Sequence, residues 1–347
     1  MSTDLENLLI TFPGLPLNYN KLTSNPCIDV PFIINHLYFR WNLHLLPSNP
    51  TFKMEYIHRY PNWWFWKKPS ATEETKDDDY VDKWPYENNE YFWKQLSSND
   101  NITETDIDTL PHGHWNYEAL SSNKNITVDF VLENIDKEWN WDLLCKNKHF
   151  INSFTLDTFS SVKKYLSDWN SLSQFANIDI IEHFNHFSWS HEYMSVNSSV
   201  SLDYITEHSD EHWNWRYMSR HPKLTIPFVL DNRDKSWDYR LISMNSNITP
   251  YDIYYYENDI AWNWNAISQN SSITETLVND NLDKDWNLLE VCKQPHITQH
   301  FVRQHYKQPE CWNGFSYNPN LSFDFISRNI RQPWNWDEIS ANTFGMN

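Results

Sequence analysis

The chain has 347 residues and a formal net charge of −19, because 46 acidic residues stand against 27 basic ones. Hydrophobic residues make up 40% of the chain and aromatic residues 17%, which is enough for a buried core and argues against disorder. The negative charge would repel a polyanion, and no apolar run is long enough to span a membrane. We therefore expect neither a nucleic-acid partner nor a membrane partner.

Four cysteines are spread far apart along the chain, at Cys27, Cys145, Cys292 and Cys311. This spacing is unlike that of a disulfide framework. The first residues, MSTDLENLLITFPGLP, lack the basic start and apolar run of a signal peptide. We expect a soluble protein with reduced thiols in a cytosol-like compartment.

A short motif built on Trp-Asn-Trp recurs from end to end, as WNYEAL at 115, WNWDLL at 139, WNWRYM at 213, WNWNAI at 262 and WNWDEI at 334. The clearest unit runs from Trp115 to Glu138, WNYEALSSNKNITVDFVLENIDKE. With its first Trp as position 1, position 6 is aliphatic, position 9 is often Asn, positions 12 and 13 are Ile-Thr, and positions 16 and 17 are a large apolar pair. The spacing predicts about 13 units of about 24 residues and a terminal half, starting at Leu17, Trp41, Trp64, Tyr91, Trp115, Trp139, Trp169, Trp189, Trp213, Trp237, Trp262, Trp286, Trp312 and Trp334.

Each unit contains two helix-start signals. The Asn at position 2 can cap a first helix, here called helix A, and the Thr at position 13 can cap a second, helix B. Between them lies Ser-x-Asn, which we interpret as a stop because Asn tolerates the left-handed conformation. We expect helices of about six and about nine residues, both too short to be stable alone, so neighbouring units must stack.

The predicted fold is therefore all-α, an α-solenoid of short helix-turn-helix repeats. Residues 1–16 are predicted to form an N-terminal cap, 17–333 a single repeat array, and 334–347 a C-terminal half-repeat cap, with degenerate units at 64–90 and 139–188. One buried aromatic ring removes roughly 150 to 250 Å² from water. We therefore interpret the 20 tryptophans as packing material rather than as a site.

Few residues suggest chemistry. Cys292, His296 and His300 have a spacing typical of metal ligands, but the register places His296 in the loop between helices A and B. His112 and His114 lie on a predicted turn, His183 and His186 lie in a weakly aligned unit, and the run Asp77–Asp79 lacks a calcium-binding loop around it. We assign no catalytic, cofactor-binding or metal-binding residues and expect no enzyme.

The pattern W-N-W-x-x-[LI]-S-x-N-x-x-I-T-x-x-[FV]-V-x-x-N-x-x-K, in an asparagine-rich chain, resembles repeat proteins of unassigned role encoded by giant DNA viruses of the Mimivirus kind. The resemblance covers nearly the whole chain. It implies a repetitive helical protein in a viral, host-cytoplasmic or virion setting, and it brings no catalytic residues with it.

The predicted function is a non-enzymatic scaffold for protein–protein interaction, with a basic protein as the partner that the negative charge favours. The first segment to consider is Pro61–Glu90, where the aromatic run Trp63–Trp66 precedes an acidic stretch. The alternatives are a structural virion component, or a glycan-binding or catalytic protein whose aromatic rings line an exposed groove.

Overall fold

A computed structural model describes residues 3–59, 90–111, 113–305 and 307–345. These residues form helices, turns and loops without a strand, so the predicted all-α class is confirmed. The chain divides into two compact units, one of residues 19–167 and one that combines residues 1–18 with residues 168–347. None of the helices in the described ranges is both long and apolar enough to span a membrane.

The helices are short throughout. In chain order they are α1 (Asp4–Thr11), α2 (Tyr19–Thr23), α3 (Val30–Asn35), α4 (Glu55–Arg59), α5 (Glu90–Ser97), α6 (Glu104–Thr109), α7 (Tyr117–Leu120), α8 (Val128–Glu133), α9 (Trp141–Leu144), α10 (Lys148–Asn152), α11 (Leu156–Val162), α12 (Trp169–Phe175), α13 (Ile178–His183), α14 (His191–Met194), α15 (Leu202–Glu207), α16 (Trp215–Met218), α17 (Ile226–Asp231), α18 (Tyr239–Met244), α19 (Pro250–Tyr255), α20 (Trp264–Ile267), α21 (Glu275–Asp280), α22 (Leu288–Lys293), α23 (Gln299–Gln304), α24 (Pro309–Phe315), α25 (Phe323–Arg328) and α26 (Trp336–Ile339). Two 3₁₀ helices, Leu43–Ser48 and Lys163–Tyr165, accompany them.

Both predicted cap residues are in place. In the repeat that starts at Trp115, the Asn116 side chain accepts the Ala119 N–H at 2.7 Å at the start of helix A. The Thr127 hydroxyl accepts the Phe130 N–H at 3.4 Å at the start of helix B. Each cap satisfies an amide that the first helical turn leaves without a partner.

Helix B is shorter than predicted, six residues in α8 rather than about nine. The next tryptophan accounts for the difference. The Trp139 indole N–H donates to the carbonyl of Asn134, the residue that follows α8, at 2.8 Å. The carbonyl that ends the helix is thus satisfied by the ring of the following repeat, and the chain turns there.

The tryptophans in the described ranges are packing residues, as interpreted from the sequence. The described position-1 tryptophans are buried or half-buried, with Trp115, Trp139 and Trp213 each 7% exposed. The position-3 ring of one repeat meets the position-1 ring of the next edge-to-face, an arrangement that favours aromatic pairs. The centroid distances are 5.6 Å for Tyr19–Trp41, 5.3 Å for Trp93–Trp115 and Trp169–Trp189, 5.0 Å for Tyr117–Trp139, and 5.2 Å for Trp215–Trp237, Trp264–Trp286 and Trp312–Trp334.

A ladder of buried asparagines joins successive repeats at position 9. Asn270 is fully buried, and its side-chain N–H groups donate to the carbonyls of Asn245 at 2.9 Å and Ile248 at 2.9 Å in the preceding repeat. Its side-chain oxygen accepts the Ser272 N–H at 2.9 Å. The same pattern recurs at Asn49, Asn123, Asn147, Asn197, Asn245, Asn318 and Asn342.

The interpretation of Ser-x-Asn as a left-handed helix stop is wrong. Among the described residues other than glycine, positive φ occurs at Phe344 alone, and Asn245 has an ordinary φ of −69°.

The serine at position 7 also bridges repeats. The Ser121 hydroxyl donates to the Tyr117 carbonyl at 2.7 Å and accepts the Asn140 N–H of the next repeat at 3.0 Å.

These bonds correct the register at two predicted unit starts. The Ser173 hydroxyl accepts the Ser190 N–H at 2.8 Å, and the Ser316 hydroxyl accepts the Asn335 N–H at 2.9 Å, so both serines occupy position 7. Trp169 and Trp312 therefore occupy position 3, and the predictions that units start at these residues are wrong. The repeat that starts at Trp139 is longer because an added helix, α10, lies between Asn147 of the ladder and the Thr155 cap.

The repeats starting at Trp41 and Tyr91 are direct neighbours. Asn99 donates to the carbonyls of Pro47 at 2.8 Å and Asn49 at 2.9 Å, although 50 residues separate the two asparagines. The predicted degenerate unit at 64–90 lies outside the described residues, except for Glu90 itself.

The N-terminal helix packs with the C-terminal repeats of its unit. Helix α1 lies against α25, and the Phe323 N–H donates to the Asp4 carboxylate at 3.2 Å. The Asn18 N–H donates to the Ser340 hydroxyl at 2.8 Å, which is the position-2 to position-7 bond found between successive repeats. Helix α1 therefore serves as helix B for the half-repeat whose helix A is α26.

Candidate functional site

The outward face of helix B is one exposed surface on which the repeats differ. Positions 15 and 19 face solvent, whereas positions 16 and 17 point mostly into the core. In the unit of residues 1–18 and 168–347, the exposed pairs at positions 15 and 19 are Asp179 and His183, Asp203 and Glu207, Pro227 and Asp231, Tyr251 and Tyr255, Thr276 and Asp280, His300 and Gln304, and Asp324 and Arg328. One pair in this series is aromatic.

That pair belongs to a group that we call the tyrosine surface, defined by Tyr251, Tyr254 and Tyr255 on α19. Tyr251 and Tyr255 are 68% and 66% exposed, and Tyr254 is 46% exposed. The rings of Tyr251 and Tyr255 are nearly parallel, with centroids 5.6 Å apart and planes 18° apart. Large rings exposed together on one short helix contribute little to the core and are typical of an interaction surface.

Neighbouring contacts hold this surface in place. The Tyr254 hydroxyl donates to the Asp280 carboxylate on α21 at 3.0 Å. Partial burial, and then this hydrogen bond, raise the pKa of the Tyr254 hydroxyl. On the other side, Tyr256 packs edge-to-face on Tyr255 at 4.8 Å. The rings are therefore presented in a defined arrangement, which lowers the entropic cost of binding.

Carboxylates lie on the repeat that carries the tyrosine surface and on both neighbouring repeats. Asp231 on α17 and Asp280 on α21 occupy position 19 in the repeats before and after, so they flank Tyr255 along the stack. Asp252 lies on α19 itself, and Asp259 follows in the next loop, where it forms an ion pair with Arg233 at 3.2 Å. Exposed aromatic rings beside carboxylates form an environment suited to cations.

The same repeat breaks the register of the stack. In most repeats the position-1 indole donates to the carbonyl five residues earlier, as Trp237 does to Asn232 at 2.8 Å. Here the loop is one residue longer, and the Tyr256 carbonyl instead accepts the N–H groups of Asp259 and Ile260, both at 3.1 Å. Among the described buried side-chain polar atoms, the Trp262 indole nitrogen is the one without a hydrogen-bond partner.

An open cleft lies beside α14, where His191 takes the place of a position-3 aromatic ring. The cleft has a volume of about 510 Å³ and is lined by Phe187, Trp189 and Tyr204 together with Glu182 and Glu211. The His191 Nδ1 lies 3.4 Å from the Glu211 carboxylate. Desolvation lowers the pKa of His191 despite this carboxylate, so the ring is neutral at neutral pH.

Cys292, His296 and His300, whose spacing is typical of metal ligands, do not come together in the structure. Cys292 is fully buried in α22, whereas His296 and His300 are exposed. Across the described ranges, no group of three or more His, Cys, Asp or Glu side chains lies close enough together to hold a metal ion.

Cys292 instead faces a second thiol that the spacing did not reveal. A hydrogen bond with Cys311 and then burial raise the pKa of the Cys292 thiol, which therefore stays protonated. The pair replaces the serine–amide contact between positions 7 and 2 found in other repeats. All four cysteines of the chain are buried thiols.

The other described histidines considered in the sequence analysis do not form a site with Cys292. His183 and His186 each pack against the following phenylalanine, at 4.8 Å and 4.5 Å between ring centroids. His114 lies 6.3 Å from Trp93, while His112 lies outside the described residues. The segment Pro61–Glu90, including Trp63–Trp66 and Asp77–Asp79, also falls outside them except for Glu90.

Sequence reasoning missed the tyrosine surface, although one signal was available. The string YDIYYY at 251–256 puts aromatic residues at positions 15, 18 and 19, where the Trp115 unit has Asp129, Leu132 and Glu133. The same positions compared across the repeats would have identified it.

Comparisons of the chain with protein-family models, with curated proteins and with solved structures gave no match.

Proposed function

We propose that this chain is a non-enzymatic scaffold that binds another protein through the outward faces of its B helices. The repeats would form an α-solenoid of about 13 units of about 24 residues. The setting that we propose is viral, in the host cytoplasm or the virion. Solenoids of this kind commonly offer extended surfaces to protein partners.

One observation carries the proposal: a constant interior supports an exterior that changes from repeat to repeat. The tryptophan pairs and the asparagine ladder recur with nearly the same distances, whereas positions 15 and 19 vary between acidic, basic, polar, proline and tyrosine side chains. Residues that stacking does not constrain are the ones available for recognition. A net charge of −19 favours a basic partner.

Affinity capture with the full chain, from infected and uninfected host lysate, tests the proposal. We expect at least one captured protein to form a saturable complex with the chain when both are purified and mixed in a calorimeter. Failure of every captured protein to do so would contradict the scaffold function. Proteomics of purified particles would separate a virion component from a protein confined to the host cytoplasm.

The cleft beside His191 favours a second candidate, glycan binding. Its walls combine the rings of Trp189 and Tyr204 with the carboxylates of Glu182 and Glu211. Sugars stack on such rings and donate hydroxyl hydrogens to carboxylates. This candidate requires that glycans bind the wild-type chain and that Tyr204→Ala, which removes one ring from the wall of the cleft, weakens that binding. Binding that is equal in both proteins would remove it.

A further inference from the structure

We propose that the tyrosine surface is the docking site for a flexible protein segment rich in arginine or lysine. The proposal rests on the scaffold function and names the surface and the chemistry of the partner. Three independent features of one repeat support it: the exposed rings, the surrounding carboxylates and the altered loop.

The exposed rings present faces to which a cation can bind. A guanidinium or ammonium group is attracted to an aromatic face when it lies within about 6 Å of the ring centre. Tyr251 and Tyr255 are about two-thirds exposed, and their nearly parallel rings, 5.6 Å apart, form an aromatic platform on α19. The arginine side chain suits such a platform because it is planar and weakly hydrated.

The carboxylates make the same surface selective for positive charge. Asp231 and Asp280 occupy the position of Tyr255 in the repeats before and after, and Asp280 accepts the Tyr254 hydroxyl at 3.0 Å. A cationic side chain over the rings would therefore lie among carboxylates that attract it from both sides. An acidic or neutral segment would gain ring contact without this attraction.

The altered loop shows that the repeat departs from the stacking pattern at its interior as well as its surface. The extra residue between Tyr256 and Trp262 leaves the buried Trp262 indole nitrogen without a partner among the described residues. In other repeats the indole N–H donates to the carbonyl five residues earlier, as at Trp237 and Trp286. An unsatisfied buried donor destabilises the folded state. Stacking alone does not account for this loop.

A second copy of the chain fits the surface less well. Each copy carries a net charge of −19, and two such surfaces placed together would bring like carboxylates into contact. Exposed tyrosines elsewhere lack the same setting. Tyr38, at 74% exposure, packs on Phe39 at 4.6 Å in a turn rather than beside a second exposed tyrosine on a helix.

The experiment uses the full chain and a fluorescein-labelled peptide of alternating arginine and glycine, with an otherwise identical glutamate peptide as the charge control. Binding is followed by fluorescence anisotropy at about 0.15 M salt, where long-range attraction is largely screened. We expect saturable binding of the arginine peptide and none of the glutamate peptide. The double variant Tyr251→Ser/Tyr255→Ser should weaken binding about tenfold, as expected for two lost cation–π contacts.

Two matched controls separate this site from general attraction to an acidic protein. Tyr38→Ser removes an equally exposed ring from another repeat and should leave the affinity unchanged. Asp231→Asn/Asp280→Asn should weaken binding, whereas Asp179→Asn/Asp203→Asn, which removes two exposed carboxylates elsewhere in the same unit, should have a much smaller effect. Far-UV circular dichroism would verify that each variant is folded.

The outcomes are distinguishable. If the tyrosine double variant binds the arginine peptide as tightly as the wild type, the proposed site is wrong, and the scaffold function still stands if a lysate partner binds both proteins. If no lysate partner binds either protein, the scaffold function itself fails. Sedimentation that shows a wild-type dimer lost in the tyrosine variant would assign the surface to a second copy and overturn the proposal.

Discussion

At the scale of single residues, the buried asparagine at position 9 joins two repeats by hydrogen bonds, a role that the sequence around it does not indicate. Its side-chain amide has two N–H donors and one oxygen acceptor. These groups form hydrogen bonds with backbone groups in the turns of two successive repeats. Asn270, for example, bonds to Asn245 and Ile248 in one repeat and to Ser272 in its own. Buried backbone groups need partners, and short helices leave many of them without any.

Asn270→Ala should therefore destabilise the protein strongly. The change removes two hydrogen bonds to buried carbonyls and the acceptor of the Ser272 N–H, and each hydrogen bond contributes about 0.5 to 1.5 kcal/mol. The Asn245 and Ile248 carbonyls keep one other bond each, from the Ile248 N–H and the Ser272 hydroxyl. We expect a loss of about 2 to 4 kcal/mol in the free energy of unfolding, measured with urea. Asn265→Ala, at an exposed position on α20, is the control and should change stability by less than about 0.5 kcal/mol.

His221 replaces asparagine in this ladder and makes stability depend on pH. Its Nε2 donates to the Asn197 carbonyl at 3.1 Å, and its Nδ1 accepts the Lys223 N–H at 3.1 Å. A protonated ring would turn Nδ1 into a donor facing another donor. Desolvation is the main cause that lowers the pKa of His221 from 6.5 to about 4.

Between these two values the unfolded chain binds a proton at His221 and the folded chain does not. The stability contributed by the neutral ring is therefore present above about pH 6.5 and is lost as the pH falls toward 4, by up to about 3 kcal/mol. His221→Asn should flatten the stability curve over this interval, as measured by urea unfolding at several pH values. Parallel curves for the two proteins would contradict the assignment.

At the scale of elements, close approach between helices holds the short A helices together. In the α22–α24 pair, a Cβ added to Gly314 would lie 2.2 Å from the Leu289 carbonyl oxygen and 3.0 Å from the Cys292 Cβ. Neither neighbour can move without displacing a helix. Gly113 is constrained in a similar way, because an added Cβ would meet the Trp93 ring at 2.9 Å.

Gly314→Ala should force α22 and α24 apart and weaken the packing of the Cys292 and Cys311 thiols. Overpacking of this kind costs about 1 to 3 kcal/mol. Urea unfolding measures the loss. Gly14→Ala is a matched control, since an added Cβ there has nothing within 4 Å, and it should leave stability unchanged or slightly raised. Equal effects of the two substitutions would refute the close-packing explanation.

At the scale of the whole molecule, the N-terminal helix belongs with repeats from the other end of the chain. Leu5, Leu8 and Leu9 of α1 are fully buried, and the helix lies against α25. Its Thr3 capping box is the same device that begins helix B elsewhere. The half-repeat at α26 gains its missing second helix in this way.

Leu8→Ala should therefore loosen the C-terminal repeats. A buried leucine reduced to alanine costs about 2 to 5 kcal/mol, and the loss would fall on the contact between α1 and α25. Hydrogen exchange followed by mass spectrometry should show reduced protection in α25 and α26. Ile10→Ala, at a position of the same helix that is 53% exposed, should leave that protection intact. Unchanged protection in Leu8→Ala would contradict the pairing.

Local chemistry was enough to predict the helical class, the caps at Asn116 and Thr127 and the packing role of the tryptophans. Each depends on a residue and its neighbours within one turn, or on burial of a large ring whatever its partner. The register at Trp169 and Trp312 was missed because positions 1 and 3 both favour Trp. Sequence spacing cannot distinguish them when the first ring is absent.

Tertiary structure alone decided the rest. The partners of Asn270, the thiol facing Cys292, the placement of α1 on α25 and the exposure of Tyr251 and Tyr255 are all set by which repeat lies against which. A periodic sequence specifies one repeat many times over. Contacts between repeats arise only when the short helices stack to bury rings and backbone groups that none of them can satisfy alone.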